Sequence, residues 1–94
     1  MCPACHELCM IWPLTTPSAL SSALRLVQGF VADGTLAVDA NAAPLPMPPF
    51  AEVNPQGPWA DVLEYHFHCR RCGEGFVLSA EAHHGSGGSW RVEP

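Results

Sequence analysis

Four cysteines in two spaced pairs carry the clearest chemistry in this chain of 94 residues: Cys2-Pro3-Ala4-Cys5 at one end and Cys69-Arg70-Arg71-Cys72 near the other. A Cys-x-x-Cys turn offers two thiolates from one tight backbone bend. Two such turns together fill the tetrahedral sphere of a Zn²⁺ ion, with Zn–S distances of about 2.3 Å. Cys2, Cys5, Cys69 and Cys72 are therefore the candidate metal ligands, and iron is the chemical alternative to zinc in a site of four thiolates. The residue after such a pair often needs positive φ. Gly73 meets that need at the second pair, and His6 holds the same place at the first.

Other residues compete for attention. Cys9, His6 and His68 are alternative ligands, although Cys9 reads more simply as a small buried hydrophobe. The first pair alone resembles a thiol–disulfide redox motif, but with only Met1 ahead of Cys2 no strand is expected to present it. Arg70 and Arg71, half of the four positive charges, lie inside the second pair, where they would offset the excess negative charge of four thiolates. His66 and His68 share one strand face. They offer a second metal site, or a general base with Glu64 or Glu81, against the plainer reading of an exposed polar face. The run Gly85-Ser86-Gly87-Gly88 lacks the lysine and strand-to-helix setting of a phosphate loop and reads as a hairpin turn.

Composition narrows the class of partner. Nine carboxylates against four arginines and no lysine give a formal charge of -5, which disfavours a nucleic-acid backbone as the main partner. Four thiolates on one Zn²⁺ would add a net charge of about -2. A basic protein is the partner that such a charge would attract. The longest apolar stretch, residues 8–14, is far too short to span a bilayer, so no membrane association is expected. An odd number of cysteines without an export signal points to a reducing, cytoplasmic setting and to thiolate ligands rather than disulfides. Abundant alanine, proline and glycine without lysine suggests a GC-rich bacterial genome.

The elements that must position these cysteines follow from pattern. Residues 7–12 form a short apolar run, expected as a strand leaving the metal site and ending at Pro13. Thr16 is a good helix N-cap with Pro17 at the first helical position. Leu20, Ala23, Leu24, Val27, Phe30 and Val31 then recur on one face, with Ser21, Arg25 and Gln28 opposite, and Asp33-Gly34 ends the helix. Residues 35–39 suggest a brief strand. Residues 41–58 form a proline-rich connector, expected to wrap the surface and to be held by Phe50 and Trp59, with a partner-docking role as the alternative. Residues 61–68 alternate as a strand, with Leu63, Tyr65 and Phe67 on one face and Glu64, His66 and His68 on the other. Residues 75–81 are the return strand, so the second cysteine pair sits in the turn of the main hairpin. Trp90-Arg91-Val92 suggests one more short strand.

With these residues in place, the chain resembles the zinc-ribbon, or rubredoxin-like, class. The resemblance rests on Cys2-Pro3-Ala4-Cys5, on Cys69-Arg70-Arg71-Cys72-Gly73 and on the strands flanking the second pair, about half of the chain. It implies metal binding on paired hairpin turns and little about activity. The expected fold is a single α+β domain over residues 1–94: a small antiparallel sheet with one amphipathic helix on its apolar face. Leu63, Tyr65, Phe67, Phe76 and Leu78 are expected to meet Leu20, Leu24, Val27 and Val31 in the core. The expected function is non-enzymatic, a regulatory or protein-interaction module stapled by zinc. The competing readings are an enzyme or metal handler using the face of His66 and His68, and a rubredoxin-like electron carrier.

Overall fold

The computed structural model describes residues 3, 5–39, 49–57, 59, 62–81 and 87–93. Cys2, half of the proline-rich connector, His83 and His84 lie outside the described residues. Over the described residues the fold is α+β, a five-stranded antiparallel sheet with one α-helix. Its strands are β1 (Trp12–Pro13), β2 (Leu36–Val38), β3 (Val62–Cys69), β4 (Gly75–Glu81) and β5 (Gly87–Glu93), in the order β1-β5-β4-β3-β2. β1 and β2 are thus the edges, and Pro13 occupies a position where its missing N–H costs the sheet nothing.

Helix α1 spans Pro17–Ala32. Thr16 Oγ1 accepts from the Ala19 N–H at 3.0 Å, which satisfies one of the free donors of the first turn. At the other end the Gly34 N–H bonds to the Val31 carbonyl and the Thr35 N–H to the Phe30 carbonyl. This is a Schellman cap, and Gly34 provides the positive φ of +88° that it requires. Leu20, Ala23, Leu24 and Val27 are buried. Val31, expected in the core, is only half-buried at its rim.

Period-two alternation divides the sheet into two faces. Leu63, Tyr65, Phe67 and Cys69 of β3 pair with Ala80, Leu78, Phe76 and, on β2, Leu36, and all of them are buried. Together with the buried helix residues they form one cluster. Trp90 of β5 sits within it at 1% exposure, its ring 5.2 Å from Phe76 and 5.6 Å from Phe67. Phe50 covers the cluster from a 3-10 turn (Phe50–Glu52), edge-on to Tyr65 at 5.0 Å and Phe67 at 4.9 Å. Trp59 packs half-buried against it, so the described part of the connector is held by the two aromatics expected to hold it.

Three further sequence expectations require correction. Residues 7–12 are not a strand: a 3-10 turn covers His6–Leu8, and only Trp12–Pro13 is extended. The cause is local hydrogen bonding, since the Leu8 N–H bonds to the Cys5 carbonyl at 2.9 Å and the Cys9 N–H to the His6 carbonyl at 3.2 Å. That curl buries Leu8, which an extended segment would leave at a sheet edge. Nor does His6 adopt the left-handed conformation. Among the described residues every positive φ belongs to glycine, and His6 opens the 3-10 turn. Gln28, read from the sequence as solvent-facing, is also half-buried. Its Nε2 donates to the carbonyls of Phe50 (3.2 Å) and Val53 (2.7 Å), tying the helix to the connector.

Candidate metal centre

Cys69 is the last residue of β3, on the inward side of the alternation that also buries Leu63, Tyr65 and Phe67. The chain then turns. The Gly73 N–H bonds back to the Cys69 carbonyl and the Cys69 N–H to the Glu74 carbonyl, both at 2.9 Å. Gly73, at φ +78°, takes the conformation expected of it. The Arg70 N–H bonds to the Thr35 carbonyl at 3.0 Å, anchoring the turn to the segment that links α1 and β2. Cys72 is carried on the exposed side of this turn, and Cys69 stays 1% exposed.

Cys5 arrives from the other end of the chain. It is fully buried and stands just ahead of the 3-10 turn, whose Leu8 carbonyl accepts from Trp90 Nε1 at 2.9 Å. The N-terminal turn is therefore tied to β5 by a bond that needs no metal. The result is a convergence of three thiols from two distant segments: Cys5, Cys69 and Cys72 have sulfurs all within 4.8 Å of one another. Cys5 Sγ and Cys72 Sγ are 3.5 Å apart. A tetrahedral zinc with four Zn–S bonds of about 2.3 Å sets its sulfurs about 3.8 Å apart, so the spacing fits that donor set. It is well outside the S–S bond length of about 2.05 Å in a disulfide. These three cysteines could hold a metal ion.

The alternative ligands do not join them. Cys9 is half-buried, packs on the core and directs its sulfur to the Cys5 carbonyl at 3.4 Å. His6 and His68, like Cys9, are outside the group. Arg70 and Arg71 are exposed in the turn between Cys69 and Cys72.

The histidine-bearing face is occupied by carboxylates. His66 Nε2 lies 3.0 Å from Glu64 Oε2, and its buried Nδ1 makes an ion-pair contact at 3.3 Å with Glu93 Oε1, without hydrogen-bond alignment. Glu93 comes from β5, across β4. Its path runs over Gly75, where an added Cβ would meet Glu93 Cβ and Oε2 at 3.3 Å. The Glu64 hydrogen bond pushes the pKa of His66 above its ordinary value, burial opposes this, and Glu93 adds to the rise. His68 Nδ1 is paired with Asp39 Oδ1 at 2.6 Å. Among the described residues, neither His66 nor His68 belongs to a group of three side chains placed to hold a metal.

Comparisons with protein-family models, with curated proteins and with solved structures returned no match. The functional reading of the chain therefore stands on its own geometry.

Proposed function

We propose that this chain is a non-enzymatic zinc-binding protein in which Cys5, Cys69 and Cys72, with Cys2 as fourth ligand, hold one structural Zn²⁺. The observation that carries the reading is the convergence of three cysteine sulfurs within 4.8 Å from segments 64 positions apart, counted from Cys5 to Cys69. Closing a loop of that length costs about 4 kcal/mol of chain entropy. Structural zinc binding provides about 10–16 kcal/mol, so the metal closes it with a wide margin. Four thiolates leave zinc no open position for water or substrate, and that favours a staple over a catalytic centre. Arg70 and Arg71, one step from the ligands in sequence, offset the surplus negative charge of the site.

The staple serves a small regulatory or protein-interaction module whose partner is a basic protein, a reading supported by the formal charge of -5. The enzyme and metal-handler reading loses ground because His66 and His68 already have carboxylate partners. Rubredoxin-like electron transfer needs iron in the same four-sulfur site and is separated from the zinc reading by the identity of the bound metal alone. The test is to measure metal per chain in protein purified without added metal, then to chelate it. One zinc per chain, with loss of cooperative unfolding on chelation, is the expected result. Folded, fully metal-free protein overturns the proposal.

A further inference from the structure

The three clustered thiols differ in their access to solvent, and this points to a second property of the site. Cys5 and Cys69 are 0% and 1% exposed, whereas Cys72 lies on the surface of the β3–β4 turn. The sulfur 3.5 Å from Cys72 is that of Cys5, 67 positions away in sequence, rather than only its neighbour in the Cys-x-x-Cys pair. A thiol at the surface is open to small oxidants and a buried one is shielded, so oxidation should begin at Cys72 and be resolved by Cys5.

We propose that the site is an oxidant-responsive zinc clasp, in which a peroxide links Cys72 to Cys5 and thereby releases the metal. The proposal rests on the zinc reading above. In the first step the Cys72 thiolate attacks one oxygen of hydrogen peroxide and the O–O bond breaks. Sulfenic acid forms on Cys72, and the departing hydroxide takes a proton from solvent to become water. In the second step the Cys5 thiolate attacks the Cys72 sulfur and displaces hydroxide, which is likewise protonated, and the S–S bond closes. Two thiolates have supplied two electrons, and one peroxide with two protons has become two waters. Zinc loses two of its thiolate ligands in the exchange and the remaining pair cannot retain it as four did.

Geometry gives this disulfide a consequence that a link within either Cys-x-x-Cys pair would not have. A bond between Cys5 and Cys72 joins the same two segments that the metal joined. The tie from the N-terminal turn to the β3–β4 hairpin therefore persists after the metal has gone. The hydrogen bond from Trp90 to Leu8 holds that turn in place through the change. Reducing the disulfide with a thiol would restore the ligands.

The experiment treats zinc-loaded protein with hydrogen peroxide, follows released zinc with a chromogenic chelator, and maps disulfides by mass spectrometry of unreduced peptides. The expected outcome is one zinc released for each Cys5–Cys72 link formed, with Cys9→Ser giving the same link. Zinc retained while the protein resists oxidation overturns the clasp, as does a dominant link within Cys2–Cys5, within Cys69–Cys72 or between Cys5 and Cys9. Both results leave standing the reading that the untreated protein holds one structural zinc. Failure of the zinc reading itself is seen before peroxide is added, as protein that binds no zinc.

Discussion

Trp90 Nε1 donates to the Leu8 carbonyl at 2.9 Å, joining the last strand to the turn that follows Cys5 across 82 positions of sequence. Both residues are 1% exposed, and the same carbonyl also accepts from the Met10 N–H at 2.9 Å. With the Leu8 N–H bonded in turn to the Cys5 carbonyl at 2.9 Å, this bond ties the segment carrying Cys5 to β5.

Replacing Trp90 with Phe removes the donor and keeps most of the apolar ring. The Leu8 carbonyl still accepts from the Met10 N–H, so the lost hydrogen bond costs about 1 kcal/mol, and the smaller ring adds a packing defect beside Phe76 and Phe67. We expect a lower denaturation midpoint and also weaker zinc binding, because the turn bearing Cys5 loses its anchor. Competition with a chromogenic chelator measures the second effect separately from the first.

The Glu64–His66–Glu93 group predicts a pH dependence with a definite sign. The folded-state pKa of His66 is raised above its ordinary value of 6.5. Its contribution to stability is therefore fully present below that value and is lost as pH rises through the elevated folded-state pKa. The difference in unfolding free energy between wild type and His66→Gln should shrink across that window. Both proteins must be compared zinc-loaded at the same free zinc concentration, so that the opposing pH dependence of zinc binding is common to both and cancels in the difference. NMR titration of the His66 ring should give a pKa above 6.5 that falls in Glu64→Gln.

Gln28 holds the connector to the helix through the carbonyls of Phe50 and Val53. Gln28→Ala leaves two partly buried acceptors without this donor and should cost about 1–2 kcal/mol. Faster proteolytic cleavage or hydrogen exchange within residues 49–57 would register the loss locally, with α1 itself unaffected.

These contacts mark the limit of what could be read from the amino acids. The helix from Pro17 to Ala32 was legible because its cap, its apolar spacing and its terminal glycine all agree. The β3–β4 hairpin was legible too, because strict alternation places Leu63, Tyr65 and Phe67 with Cys69 on one side, and Gly73 marks the turn. The same alternation brings Cys69 to the buried side, where Cys5 is also buried and Cys72 approaches both from the exposed turn. Residues 7–12 misled because an apolar run carries no period to separate a strand from a tight turn, and local bonds to the Cys5 and His6 carbonyls settled the matter. Gln28 misled because polarity alone does not reveal a buried carbonyl waiting across the fold. The pairing of β1 with β5 joins residues about eighty apart, and no local pattern encodes such a contact. Trp90 gave one faint signal, a large aromatic in a short β-prone run, and its place within the core came only from that long-range pairing.

In the proposed site one zinc is held by four cysteine sulfurs. X-ray absorption spectroscopy at the zinc edge tests it most directly, on protein purified without added metal. The expected spectrum has a shell of four sulfurs at about 2.3 Å, reduced to three with a lighter atom in the fourth place when Cys2 is changed to Ser. A shell dominated by nitrogen or oxygen, or a spectrum that Cys2→Ser leaves unchanged, would contradict it.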